Sequence, residues 1–181
     1  MIEVRWHGRA GQGAKTASQL FAMAELSSGR FVQAFPEYGP ERGGAPMRAY
    51  TRVDDRRIRR RYGVTSPDVV VVIEPSLLSE VDVTDGLGTD GLLLLNSPEA
   101  VAGLSWDGDV RLVDAGAIAK PRYVNVVMLG ALAGALGEPP LDAVLAAARQ
   151  QFGRKLTPNA LDELAAAITG GGAAVSREVT A

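Results

Sequence analysis

The sequence predicts an α/β fold: one Rossmann-like domain with a largely parallel sheet, a glycine-rich loop after the first strand and a helical C-terminal third. Three observations carry this expectation. Continuous apolar runs at residues 69–74 (VVVVIE), 92–96 (LLLLN) and 110–115 (VRLVDA) recur about one βα unit apart, with the composition of central strands covered on both faces. The chain opens with an alternating strand, a glycine-rich turn and a helical stretch (IEVRW, HGRAGQGAKT, ASQLFAMAEL). From residue 123 onward, apolar stretches bounded by Pro and Thr read as consecutive helices.

Taken in order, RFVQAFPE follows the first helix as a second strand. Residues 35–46 (FPEYGPERGGAP) then hold three prolines and three glycines, so they form a shaped loop that continues neither a strand nor a helix. MRAYTRV (47–53) alternates as a strand, and Asp54-Asp55 fits a hairpin turn into RRIRRRYGV. Between the apolar runs, PSLLSEV and SPEAVAGL read as short helices. The C-terminal helices are expected at 123–136, at 141–152 after Pro139-Pro140, and at 158–168 behind a Thr157 cap. The domain is expected to span residues 1–169, with 170–181 a flexible tail. The helix from Tyr123 has almost no polar face, so either its own domain or another subunit buries it.

Composition narrows the function classes. The 181 residues carry 19 Lys+Arg against 21 Asp+Glu, a net charge of −2 that provides no global field for nucleic acid or an anionic membrane. There is no cysteine, so disulfides, thiolate catalysis and cysteine-held iron–sulfur clusters are excluded within this chain. A single histidine, His7, ends the first strand and reads as structural. The longest apolar run, residues 124–137, is shorter than the roughly 20 residues of a membrane span. Met1 leads straight into a charged, alternating strand, and the expected location is the cytoplasm.

The loop HGRAGQGAKT invites an anion, because glycines allow close backbone approach and the following helix offers free N–H groups and its dipole. Three readings meet there. A Walker A loop needs G-x-x-x-x-G-K-[ST], but Ala14 intrudes between Gly13 and Lys15, which turns the lysine about 100° around the helix. A dinucleotide fingerprint finds its first two glycines in Gly11 and Gly13 and a conceivable acid in Glu37, but Thr16 takes the third glycine position. A tight strand-to-helix turn without a ligand is the third.

Together, VRWHGRAGQGA, FPEYGPERGGAP, SPDVVVVIEPSLL and NVVMLGALAGAL resemble, in order and over residues 2 to about 165, the gamma subunit or gamma domain of the 2-oxoacid:ferredoxin oxidoreductases of the pyruvate:ferredoxin type. One departure stands out: the family's loop usually reads G-x-G-G-Q-G, and Ala10 replaces one glycine, which costs little if φ is negative there. The resemblance implies a subunit of an enzyme that converts a 2-oxoacid to acyl-CoA and CO2 while reducing ferredoxin. Thiamine diphosphate, Mg2+ and the iron–sulfur clusters would then belong to alpha, beta and delta-type partner chains, with electrons passing on to ferredoxin. The gamma chain would be an interface scaffold that helps receive coenzyme A, and it would be inactive in isolation. The alternative is a free-standing dinucleotide-binding Rossmann oxidoreductase.

Site expectations follow from both lines. No catalytic residue and no metal ligand are assigned to this chain. Coenzyme A phosphates would meet Gly8, Arg9, Gly11, Gln12 and Gly13, together with Arg57, Arg59 and Arg61, which an extended segment places on one face. A solvated hairpin pairing with acidic partner surfaces accounts equally for those arginines. On the stiff loop, Glu37, Tyr38, Glu41 and Arg42 would make interface contacts.

Overall fold

The computed structural model describes residues 1–37, 44–101, 104 and 106–177, and Tyr38, Glu41 and Arg42 lie outside them. Strand β1 (Ile2–Arg9) alternates as its sequence dictates. Val4 and Trp6 enter the main core beside helix α1 (Ala14–Ser27), whereas the intervening Glu3, Arg5 and His7 belong to a buried polar set on the other face. Two antiparallel strands extend the sheet on one side, β2 (Phe31–Glu37) at the edge and β3 (Pro46–Asp54) between it and β1. On the other side β4 (Val69–Val72), β5 (Leu92–Asn96) and β6 (Asp109–Val113) run parallel to β1.

The three apolar runs thus become the central parallel strands. In β4, Val69 and Val71 join the larger core under the helices while Val70 and Val72 join a smaller one on the opposite face, with Leu93 and Leu95. After β6 come the short α2 (Ala115–Ile118), then α3 (Val124–Leu136), α4 (Leu141–Phe152) and α5 (Pro158–Ala173). Thr157 caps α5 by accepting from the Ala160 N–H at 3.3 Å. A final strand, β7 (Ser176–Arg177), pairs antiparallel with β6, giving the order β2-β3-β1-β4-β5-β6-β7.

Helix α3 is buried by its own domain. A Cβ on Gly130 would overlap the Ile168 carbonyl, one on Gly134 would lie 2.5 Å from the Gly172 carbonyl oxygen, and one on Gly171 would overlap the Val127 carbonyl. Backbones of α3 and α5 therefore touch through glycines, as small residues allow. That packing explains why α5 continues through Gly170–Gly171–Gly172, past the boundary expected at 169. Glycine's poor helix propensity signals an end there, and close helix packing overrides it.

The short helix expected at PSLLSEV is present as a 3-10 turn over residues 75–79, capped by the Glu74 carboxylate. Two local expectations are corrected. No helix spans SPEAVAGL among its described residues: Ser97 bonds back to the Val113 carbonyl, and Val101 and Leu104 cover the smaller core as irregular chain. Residues 56–61 do not form a hairpin strand, because the backbone beyond them is committed to a side chain: Arg52 donates to the carbonyls of Tyr62 and Gly63 at 2.7 and 3.2 Å. Among the described residues no helix is long and apolar enough to cross a membrane.

Candidate functional site

The chain leaves β1 through α1 toward β2 and β3 on one side and resumes at β4 on the other. In doubly wound sheets, ligands gather outside the carboxyl ends of the strands at such a switch. Here that edge holds the glycine loop and the turn after β4. Because β3 is antiparallel to β1, with Pro46 opposite Arg9 and Glu37 opposite Arg48, the end of β2 and the start of β3 lie at the same edge.

Glycine is required twice in the loop, at Gly11 with φ 94° and at Gly13 with φ 81°. No described non-glycine residue has positive φ, so Ala10 sits in ordinary backbone, and its N–H donates to the Ala45 carbonyl at 3.0 Å. Gln12 spans the loop: its Oε1 accepts from the Arg9 N–H at 2.7 Å, and its Nε2 donates to Glu74 Oε2 at 2.6 Å. Partial burial acts to raise the Glu74 pKa, but hydrogen bonds from Gln12 and Ser76 outweigh it and hold the carboxyl below its ordinary range. The Arg9 guanidinium is already engaged, with Glu80 Oε1 at 2.5 Å, Ser76 Oγ at 2.8 Å and the Gly44 carbonyl at 3.1 Å.

On the helical side of the loop, α1 starts without any side-chain cap, with Gly13 itself in the cap position. The N-terminal end of the α1 dipole therefore meets this edge without a capping side chain. Gly11, Gln12, Gly13 and Thr16 open with Arg122 into a cavity of about 340 Å³. Arg122 is 59% exposed, lies 4.7 Å above the Tyr123 ring centroid and pairs with Glu163 at 2.5 Å. Lys15 is exposed on the first turn of α1 and does not line this cavity.

The arginine-rich segment lies elsewhere. Arg52 is fully buried, with Nε 2.6 Å from Glu3 Oε1 and its guanidinium carbon 5.5 and 5.3 Å from the ring centroids of Phe35 and Tyr62. Arg60 joins Glu3 Oε2 at 3.1 Å. Arg57, Arg59 and Arg61 are exposed and have no ion pair or hydrogen bond among the described residues. With Gln33, Ala34 and Phe35 of β2 they line a groove of about 990 Å³. Gln33 stands level with Glu3 in the sheet, at the opposite end of β1 from Arg9, so the groove and the glycine loop are separated by roughly 15–20 Å along the strands.

His7 is a core residue. Its Nε2 accepts from the Arg5 Nε at 3.1 Å, and Arg5 also donates to the carbonyls of Val83 and Asp85 at 2.9 and 2.6 Å. Burial first, then the charges of Arg5 and Arg48, push the His7 pKa down to about 3. Of the expected interface residues, Glu37 is exposed at the end of β2 and accepts a hydrogen bond from the Tyr50 hydroxyl. Sequence reasoning gave no role to Glu80, Arg122 and Asn125, and it saw Arg52 only as one member of an arginine cluster. The signal for Arg52 was its place inside the alternating run 47–53.

Comparison with known proteins places this geometry. Residues 3–173 match the family model described as pyruvate ferredoxin/flavodoxin oxidoreductase. The pyruvate synthase subunit PorC of Thermotoga maritima is 47% identical over 169 residues, covering 89% of this chain and 88% of the relative. A crystal structure of the pyruvate oxidoreductase subunit PORC from Thermotoga maritima superposes with a TM-score of 0.84 at 39% identity, over 98% of each chain. The 2-oxoglutarate:ferredoxin oxidoreductase of Magnetococcus marinus, solved with 2-oxoglutarate, coenzyme A and succinyl-CoA bound, shares the fold at 18% identity and a TM-score of 0.80, over 95% of this chain and 30% of that one. These matches do not favour a free-standing dinucleotide oxidoreductase. The chain belongs to the pyruvate ferredoxin/flavodoxin oxidoreductase family, as a gamma-type subunit.

Proposed function

We propose that this chain is the interface scaffold of a multi-chain 2-oxoacid:ferredoxin oxidoreductase and receives the phosphate end of coenzyme A at its glycine-loop edge. The observation that carries this reading is the convergence of an uncapped helix start, two positive-φ glycines and the Arg122 guanidinium on one cavity. Backbone N–H groups at a helix N-terminus favour an anion, and a guanidinium adds directional, charge-assisted bonds. Arg9 serves the loop's shape, since Glu80, Ser76 and the Gly44 carbonyl together occupy its guanidinium, whereas the Glu163 that pairs with Arg122 is shared with Lys120, so one carboxylate faces two cations there. The cavity is large enough for a phosphate end and leaves the remainder of the molecule to a partner surface, in keeping with a shared site.

The chemistry itself belongs to partner chains of alpha, beta and delta type. Thiamine diphosphate with Mg2+ and the iron–sulfur clusters would be theirs, and ferredoxin would meet the complex through them. This chain has no cysteine to hold a cluster. Its task is to bind and orient. The expected location of the assembly is the cytoplasm.

The test uses two substitutions in the assembled enzyme. Arg122→Gln removes the guanidinium, and Thr16→Glu places a carboxylate where the phosphate would lie while complementing the helix dipole. Each should raise the coenzyme A KM about ten- to hundredfold, the scale of one lost charge-assisted contact of about 1.5–3 kcal/mol, and leave the 2-oxoacid KM nearly unchanged. Wild-type coenzyme A dependence in both variants would contradict the assignment.

A further inference from the structure

Strand β2 is an edge strand whose backbone pairs only with β3. Among the described residues no backbone hydrogen bond reaches its outer side. Unpaired edges of this kind are templates for another strand, and proteins commonly blunt them. The two flanks of this edge differ sharply. On one side lies the groove bearing Arg57, Arg59 and Arg61, three exposed guanidinium groups without a partner among the described residues. On the side of α1, Met23, Leu26, Val32 and Ala34 line an apolar groove of about 350 Å³, and Leu26 is 58% exposed.

We propose that the outer edge of β2 is a strand-addition site for an extended segment of a partner chain in which acidic and apolar residues alternate. Successive side chains of an added strand point to opposite faces of the sheet, so every second residue meets the arginines and the others meet Met23 and Leu26. Acidic residues suit the first set, because carboxylates accept paired N–H bonds from guanidinium groups. Apolar residues suit the second, since burying Leu26 and Met23 removes apolar surface from water. A second copy of this chain does not fit. Two-fold pairing of β2 with itself would place both arginine sets on the same face of a continuous sheet, where like charges repel. The identity of the partner as another subunit rests on the proposed function, whereas the chemistry of the edge does not.

The experiment therefore begins with the full chain alone and synthetic probes. A labelled peptide alternating Glu and Val over seven residues is compared with a peptide of the same composition in which the Glu and Val residues are grouped in blocks. The alternating peptide should bind at least tenfold tighter than the block peptide and slow hydrogen exchange of amides in residues 31–37. The triple variant Arg57→Gln, Arg59→Gln, Arg61→Gln should weaken it at least tenfold; these side chains have no partner among the described residues, so the fold is expected to persist, and circular dichroism checks it. Equal binding of both peptides, no binding, or no protection of β2 would overturn strand addition. In the assembled enzyme the same variant should weaken subunit association in a salt-dependent way and leave the coenzyme A KM unaltered. A raised coenzyme A KM with normal assembly would assign the arginines to phosphate instead and overturn the proposal. If the chain joins no oxidoreductase complex at all, the subunit reading fails while the peptide result still stands or falls by itself.

Discussion

The carboxamide of Asn125, near the start of α3, donates from Nδ2 to the carbonyl oxygen of Gly13 at 3.2 Å. One side chain thus ties the buried helix to the turn that starts α1, and it fills the space a Cβ on Gly13 would need, 2.9 Å from the Asn125 Cγ. Gly13 is fixed for two independent reasons, its left-handed φ of 81° and this close approach.

Gly13→Val should accordingly destabilise the chain by more than the roughly 1–3 kcal/mol of a left-handed non-glycine residue alone. Lys15→Ala, at an exposed position of the same turn, should stay within about 0.5 kcal/mol. Urea unfolding of the two variants measures both effects. A larger loss for Lys15→Ala would mean that the lysine, and not the glycine backbone, organises the loop.

The buried ion pair of Arg52 and Glu3 makes a second prediction. Removing Arg52 leaves the buried Glu3 carboxylate with only the exposed Arg60 as a partner, so Arg52→Met should cost up to about 3–5 kcal/mol. Adding Glu3→Gln should recover part of that loss, because the under-compensated carboxylate is removed. A double-mutant cycle by chemical denaturation decides it. Additive losses would show that Arg52 acts through its stacking on Phe35 and Tyr62 rather than through Glu3.

His7 gives a pH dependence with a definite sign. Its folded pKa of about 3 lies below the ordinary value of 6.5, so between those values the unfolded chain binds the extra proton. The stabilisation is complete above pH 6.5 and is lost as pH falls toward 3. Protonation would remove the acceptor for Arg5 and add a like charge beside it. Stability measured from pH 7 to pH 5 should fall more steeply for wild type than for His7→Gln, which keeps an acceptor without titrating. Equal slopes would place the histidine outside the pH response.

The central strands, the glycine loop and the three long C-terminal helices were legible because each rests on a local signal: β-branched runs, glycine spacing, and apolar periodicity with Pro and Thr at the ends. What escaped depends on partners distant in sequence. Residues 56–61 alternate well enough for a strand, yet Arg52 takes the carbonyls of Tyr62 and Gly63 and Arg60 is drawn to Glu3. Gly170 to Gly172 read as a helix end, yet α3 needs them for backbone contact. Within the candidate site, the glycines and Gln12 were visible, whereas Arg122 from the turn before α3 and Asn125 from its first turn arrive from more than a hundred residues away. Arg57, Arg59 and Arg61, read with the glycine loop as coenzyme A contacts, lie near the opposite end of β1 from it, a distance that strand register sets and sequence spacing does not show.

Subunit complementation tests the central claim most directly. Reduction of a viologen dye, dependent on both a 2-oxoacid and coenzyme A, is measured for this chain alone, for the thiamine- and cluster-bearing chains without it, and for the reconstituted set. The account predicts no turnover from the isolated chain and full coenzyme A-dependent turnover only when it is restored to its partners. Turnover by the isolated chain, or undiminished coenzyme A-dependent turnover by the partners without it, would contradict its role as the coenzyme A-receiving subunit.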